Sequence, residues 1–168
     1  MRQDPPNQKG KCPREAVPSA ESAHVLLVED DGVMREMLAE ALRREGCRVT
    51  ECADAVRWIE FCMSEATTTG AETSDERYDV VVSDIRMPRV NGLDVLRIVR
   101  QVGHGNSCPP TILITAFGDE ETHRKASELG AVAVLDKPFP IKQLTDKVLA
   151  LAARQANAER PWREDLRG

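Results

Sequence analysis

Four small groups of polar residues in this 168-residue chain stand at the ends of short apolar runs. Glu29, Asp30 and Asp31 follow Leu26-Leu27-Val28. Asp84 follows Val80-Val81-Val82-Ser83, Thr115 closes Ile112-Leu113-Ile114, and Lys137, with Pro138 after it, comes just past Leu135. Singly, each has an ordinary use: Asp31 can cap a helix, Asp84 a turn, Thr115 can finish a strand and Lys137 can be solvated. Gathered on one rim they are a different matter, because several carboxylates side by side repel one another unless protonated or neutralised by a cation. Oxygen donors without His or Cys select a hard cation, and a site with few protein ligands that keeps its waters suits Mg²⁺ better than Ca²⁺. A carboxylate nucleophile, Mg²⁺, a lysine ammonium and a threonine hydroxyl are sufficient for phosphoryl transfer, in which positioning and charge stabilisation do most of the work.

For the four groups to meet, the runs before them must be parallel strands of one sheet. From His24 onward short apolar runs alternate with stretches of helical period, and the alternation repeats five times, which predicts helices on both faces of a parallel sheet. Strands are expected at 25–28, 47–51, 78–83, 111–115 and 132–135. The first helix should bury Val33, Met37, Leu38, Ala41 and Leu42 before Gly46 stops it. Further helices are expected at 54–64, at 93–102 ending on Gly103 and Gly105, from a cap at Asp119 to Leu129 and Gly130, and from about Pro140 with Ile141, Leu144, Val148, Leu149 and Leu151 inward. Between the second helix and third strand, residues 67–76 read as a long exposed connection. In a doubly wound sheet of this kind ligands bind at the carboxyl ends of the strands, where the four groups lie.

Composition narrows the function. The chain holds 23 basic and 28 acidic residues, a formal charge of −5, which disfavours a broad electrostatic grip on nucleic acid or an anionic membrane. No apolar run is long enough for a membrane span, and the first 22 residues carry four prolines but no apolar signal core. The five cysteines form no Cys-x-x-Cys pair, which suits a reducing, cytoplasmic setting, with Cys47, Cys52 and Cys62 as small core residues. Residues 1–22 are expected to be a disordered leader, 23–154 the folded domain and 155–168 a short tail in which Trp162 is a lone aromatic.

The ordered set Leu27-Val28-Glu29-Asp30-Asp31, Ser83-Asp84-Ile85-Arg86-Met87-Pro88, Asn91-Gly92, Leu113-Ile114-Thr115-Ala116 and Asp136-Lys137-Pro138-Phe139 resembles the receiver domain of two-component response regulators, over about residues 24–153. The resemblance implies a flavodoxin-like five-stranded sheet of order 2-1-3-4-5. It also implies that Asp84 is phosphorylated, that Asp30, Asp84 and the backbone carbonyl of Arg86 bind Mg²⁺ directly, and that Glu29 does so through water. The acid pair is placed at Glu29 and Asp30 because Leu27-Val28 precede it; Asp30 and Asp31 are the alternative. Lys137 and Thr115 would hold phosphoryl oxygens, Arg86 and Phe117 would lie where hydrolysing water approaches, and the Lys137–Pro138 peptide would be cis. One position departs from the pattern: Val134 stands where the family usually carries an aromatic, so a switch here would rely on backbone and helix repacking over residues 117–129.

The partners implied are a histidine kinase and either a downstream target protein or a histidine phosphotransfer protein, with no direct nucleic acid and no membrane. With few residues after Arg154, a single-domain regulator is expected, as a monomer or a phosphorylation-dependent dimer. No enzymatic activity is expected beyond self-phosphotransfer from phosphohistidine and slow autodephosphorylation. Two rivals remain open: a phosphate-independent binding module, and a phosphatase of the haloacid-dehalogenase type, whose Asp-x-Asp-Gly motif Glu29-Asp30-Asp31-Gly32 resembles.

Overall fold

The computed structural model describes residues 22–67, 77–88, 90–102 and 108–158. The expected leader (except Ser22), residues 68–76 of the expected connection, Gly103, Gly105 and Trp162 lie outside the described residues. Strands and helices alternate throughout: β1 (His24–Val28), α1 (Gly32–Arg44), β2 (Arg48–Cys52), α2 (Val56–Thr67), β3 (Val80–Asp84), α3 (Gly92–Val102), β4 (Thr111–Thr115), α4 (Glu120–Glu128), β5 (Ala133–Asp136) and α5 (Ile141–Ala158). The strands form one five-stranded sheet in the order β2-β1-β3-β4-β5, every pair parallel. This is the doubly wound α/β fold expected from the alternation.

β1, β3 and β4 are buried at every residue, whereas β2 and β5 are only partly covered. Continuous apolar strands suit the middle of a sheet clad on both faces, and alternate side chains divide between two cores. Val25, Leu27, Val80, Val82, Ile112 and Ile114 join Leu38, Leu42, Leu144 and Val148, contributed by α1 and α5. Leu26, Val28, Val81 and Leu113 face the other way, onto Trp58 and Cys62 of α2 and Val95, Leu96 and Val99 of α3.

Two helix starts are set by local chemistry. Asp31 accepts a hydrogen bond from the Met34 amide and Asp119 from the Thr122 amide, each at 2.7 Å, so that each carboxylate satisfies a backbone donor of the first turn. After α1 and α4, Gly46 and Gly130 adopt φ of 87° and 83°, a conformation in which a side chain would be strained.

The apolar face expected for the first helix needs correction. Leu38 and Leu42 are buried as expected, but Val33 is 81% and Met37 44% exposed, and Ala39 rather than Ala41 is fully covered. The 3.6 period marks which residues align, but the stripe of α1 that packs on the sheet is Met34, Leu38, Ala39 and Leu42, and Val33 and Met37 lie to one side of it. Strand bounds also shift: β2 begins at Arg48 and includes Cys52, β3 begins at Val80 and includes Asp84, and β5 runs from Ala133 to Asp136. Asp84 is in the ladder because it pairs with Ile114, while Val132 stays exposed before β5 begins.

Candidate functional site

Register brings the four groups together. Val28 is paired with Ser83, Asp84 with Ile114, and Thr115 with Asp136. Glu29 and Asp84 are therefore level on adjacent strands, with Thr115 one step farther out on β4 and Lys137 two steps farther out, just past β5. Backbone bonds extend the ladder into the rim: the Ile85 amide donates to the Ile114 carbonyl at 2.8 Å and the Lys137 amide to the Thr115 carbonyl at 2.7 Å. The peptide between Lys137 and Pro138 is cis.

Carboxylate oxygens of Glu29, Asp30 and Asp84 lie within 4.8 Å of one another. Glu29 is 1% and Asp84 7% exposed, while Asp30 faces solvent. The Lys137 ammonium donates to Glu29 Oε2 at 2.9 Å and to Asp84 Oδ2 at 3.0 Å, bridging β1, β3 and β5. The remaining Asp84 oxygen, Oδ1, accepts from the Arg86 amide at 3.1 Å, which sets the Arg86 backbone beside it. Thr115 is fully buried, and its Oγ1 accepts from the Phe117 amide at 3.1 Å. Of the two acid pairings open at the sequence level, Glu29 with Asp30 is the one that meets Asp84; Asp31 is the helix cap.

Burial pushes the Glu29 carboxyl above its ordinary range and the charge of Asp84 adds to this, with Lys137 pulling the other way. Burial alone would lower the Lys137 ammonium, but its hydrogen bonds to Glu29 and Asp84 prevail and raise it. One ammonium thus balances two buried carboxylates, with Asp30 adding a third nearby. Three oxygen donors converging without His or Cys, one of them held up by burial and a like charge, fit a hard divalent cation.

The raised Glu29 carboxyl implies a pH dependence. A carboxyl whose folded pKa lies above its unfolded value of 4.5 contributes stability that is complete below 4.5 and is lost as pH rises through the folded value. Glu29→Gln is expected to flatten that decline, measured as thermal midpoint against pH from about 4 to 8 in EDTA; a variant as steep as the parent would assign the slope elsewhere.

Further residues shape the site without lying at a strand end. Arg35, one turn into α1, donates from Nη1 to the Glu29 carbonyl at 2.7 Å and fixes the backbone that presents the acid pair. Gly92 packs its backbone on the loop after Asp84: its amide donates to the Ile85 carbonyl at 2.8 Å, and a Cβ there would meet the Asp84 carbonyl oxygen at 2.5 Å and Ile85 Cα at 3.1 Å. These are backbone atoms that cannot swing aside, so Gly92→Ala is expected to cost about 1–3 kcal/mol in denaturant unfolding and to displace Asp84. The Arg86 guanidinium stacks over the Phe117 ring at 4.4 Å, linking the loops after β3 and β4. His123 of α4 bonds Asp136, the residue before Lys137, at 2.9 Å. Val134 is half-buried against the Leu26 and Trp58 side of the core.

Among the described residues no helix is long and apolar enough to cross a membrane. Residues 25–149 match the model of the response regulator receiver domain. The alkaline phosphatase synthesis transcriptional regulatory protein SphR of Synechococcus elongatus is 38% identical over 150 residues, covering 86% of this chain and 56% of that protein. The probable transcriptional regulatory protein SilR of Salmonella typhimurium is 34% identical, covering 77% and 51%. The chain therefore spans about half the length of these relatives. In fold it superposes on the receiver domain of the Francisella response regulator 1452 with a TM-score of 0.66 at 24% identity, covering 80% of this chain and 99% of that one. By sequence, sheet order and the acid cluster at its carboxyl edge, the chain belongs to the response regulator receiver domain family of two-component systems.

Proposed function

We propose that the chain accepts a phosphoryl group on Asp84 from the phosphohistidine of a histidine kinase and that the change in charge alters which protein it binds. An Asp84 carboxylate oxygen attacks phosphorus, the bond from phosphorus to the kinase imidazole nitrogen breaks, and that nitrogen takes up a proton. Asp30, Asp84 and the Arg86 carbonyl would hold Mg²⁺ directly, with Glu29 acting through water; when bound, the ion neutralises charge on the phosphoryl oxygens. Lys137 gives its ammonium to a phosphoryl oxygen and Thr115 its hydroxyl to another. The observation that carries this reading is the buried Asp84 carboxylate at the end of a central strand, 3.0 Å from an ammonium and within 4.8 Å of two more acids. Beyond this transfer and slow autodephosphorylation the receiver performs no catalysis. It acts in the cytoplasm, where thiols stay reduced, as a monomer or a phosphorylation-dependent dimer.

Phosphorylation replaces one carboxylate charge by about −2 and three acceptor oxygens. The output in this reading is contact with a target protein or a histidine phosphotransfer protein. The names of the relatives favour a second one, in which the state of the receiver is read by a DNA-binding partner or region, since both are called transcriptional regulatory proteins. The test of phosphoryl acceptance is intact mass after incubation with acetyl phosphate and Mg²⁺. A single phosphoryl adduct that EDTA abolishes is expected; no adduct from acetyl phosphate or from phosphorylated kinases would overturn the reading in favour of a phosphate-independent module.

A further inference from the structure

Away from the carboxylate rim, two cysteines that are 46 residues apart in sequence come into contact. Cys62 lies fully buried in α2, and Cys108 lies half-buried just before Pro109 and Pro110 lead into β4. Their sulfurs are 3.7 Å apart, and Cys108 Sγ also sits 3.2 Å from the Val99 carbonyl oxygen of α3. Both side chains belong to the core that α2 and α3 build on one face of the sheet.

We propose that Cys62 and Cys108 are a redox-active dithiol that hydrogen peroxide converts to a disulfide, tying α2 to the start of β4. The Cys108 thiolate attacks one peroxide oxygen, the oxygen–oxygen bond breaks, and Cys108 becomes a sulfenic acid as the leaving hydroxide takes up a proton to give water. The Cys62 sulfur then attacks the Cys108 sulfur, the sulfur–oxygen bond breaks, and a second water leaves with the Cys62 proton. Two thiols are oxidised and one peroxide is reduced to two waters.

The two cysteines divide the work by position. Cys108 is reachable from solvent, and the neighbouring Cys62 thiol, opposed by burial and helped by the Arg100 guanidinium, holds its thiol down at about 7, so that a large share is thiolate at neutral pH. Cys62 has no exposed surface and meets the oxidant only through Cys108. Elsewhere in the fold, burial pushes the thiols of Cys47 and Cys52 up, which makes them slow to react. A disulfide is about 2.05 Å long, so the sulfurs must close by roughly 1.7 Å. The bond would close a covalent loop that holds the end of α2, β3 and α3. Disulfides in a reducing compartment are typically transient and redox-sensing.

The test uses the full chain exposed to hydrogen peroxide, then alkylated under denaturing conditions and mapped by peptide mass. A linked peptide containing Cys62 and Cys108, lighter by two hydrogens and released by dithiothreitol, is expected. The oxidised protein should melt roughly 5–15 °C higher than the reduced one. Cys108→Ser should abolish the link. Cys62→Ser should stall at a Cys108 sulfenic acid that dimedone traps. Links from Cys108 to another cysteine, direct passage of Cys108 to sulfinic acid in the parent chain, or no reaction at all would overturn the proposal.

Discussion

Asp84→Asn is expected to lose the phosphoryl adduct completely in acetyl phosphate and Mg²⁺ while remaining folded. The amide matches the carboxylate in shape, so the packing at the end of β3 is retained, and Oδ1 can still accept from the Arg86 amide. What disappears is the negative oxygen able to attack phosphorus. The same change removes a like charge beside Glu29, one of the two influences that hold the Glu29 carboxyl high. The variant should therefore melt no lower than the parent in EDTA, and Mg²⁺ should raise its midpoint by less than it raises the parent's, because one of the three converging donors has lost its charge. Intact mass and thermal unfolding read both effects from one preparation. An adduct that survives in Asp84→Asn would move the acceptor to another carboxylate, with Asp30 the first to test.

Lys137→Ala is expected to separate loading from response. Its ammonium is the counter-charge to Glu29 and Asp84, whose side chains are only 2% and 9% exposed. Removing one partner of a buried pair leaves uncompensated charge and costs about 3–5 kcal/mol. The metal-free variant should lose that much in denaturant unfolding at neutral pH, and Mg²⁺ should restore part of it. The adduct on Asp84 should still form, since the nucleophile and the acidic donors remain. The shift in amide exchange across residues 117–129 that accompanies phosphorylation of the parent should vanish, because moving a two-state element from mostly off to mostly on takes about 5.5 kcal/mol of differential interaction, of which the ammonium contact is a large share. An exchange shift equal to the parent's would remove Lys137 from the switch. The parent should approach the same destabilised state in strong alkali: the Lys137 pKa is raised above 10.5, so the stability it confers is complete below 10.5 and is lost as pH climbs through the higher folded value.

Much of this site could be read from the amino-acid sequence because its chemistry sits at strand ends. Five alternating apolar runs mark the parallel strands, with the family resemblance adding their order, and a residue just past such a run has only one rim on which to stand. Glu29, Asp84, Thr115 and Lys137 were placed in that way, and the structure brings them together. Less visible was which of two neighbouring stripes a helix turns inward. Val33 and Met37 share the period of a buried face, yet lie exposed because the stripe that packs on the sheet runs through Met34, Leu38 and Leu42. Arg35 acts through a hydrogen bond to a carbonyl, which leaves no pattern in residue type, and Gly92, though quoted in the Asn91-Gly92 motif, carries no sign there of the close backbone approach it makes. The contact between Cys62 and Cys108 was equally hidden, since it depends on how α2 and α3 pack side by side across a long stretch of intervening chain.

The uneven covering of the sheet has a mechanical consequence. Asp84 stands on β3, a strand buried at every residue between two others like it, whereas Lys137 follows β5, a half-covered margin, and Asp136 before it is held to α4 by His123. The middle of such a sheet is stiff and its margin compliant. On the proposed function, a new charge at Asp84 should therefore displace β5 and the helix fastened to it more than the centre of the sheet. Native-state hydrogen exchange should show that gradient before any phosphate arrives, with amides of β1, β3 and β4 opening only on global unfolding and those of β5 and α4 opening far more often.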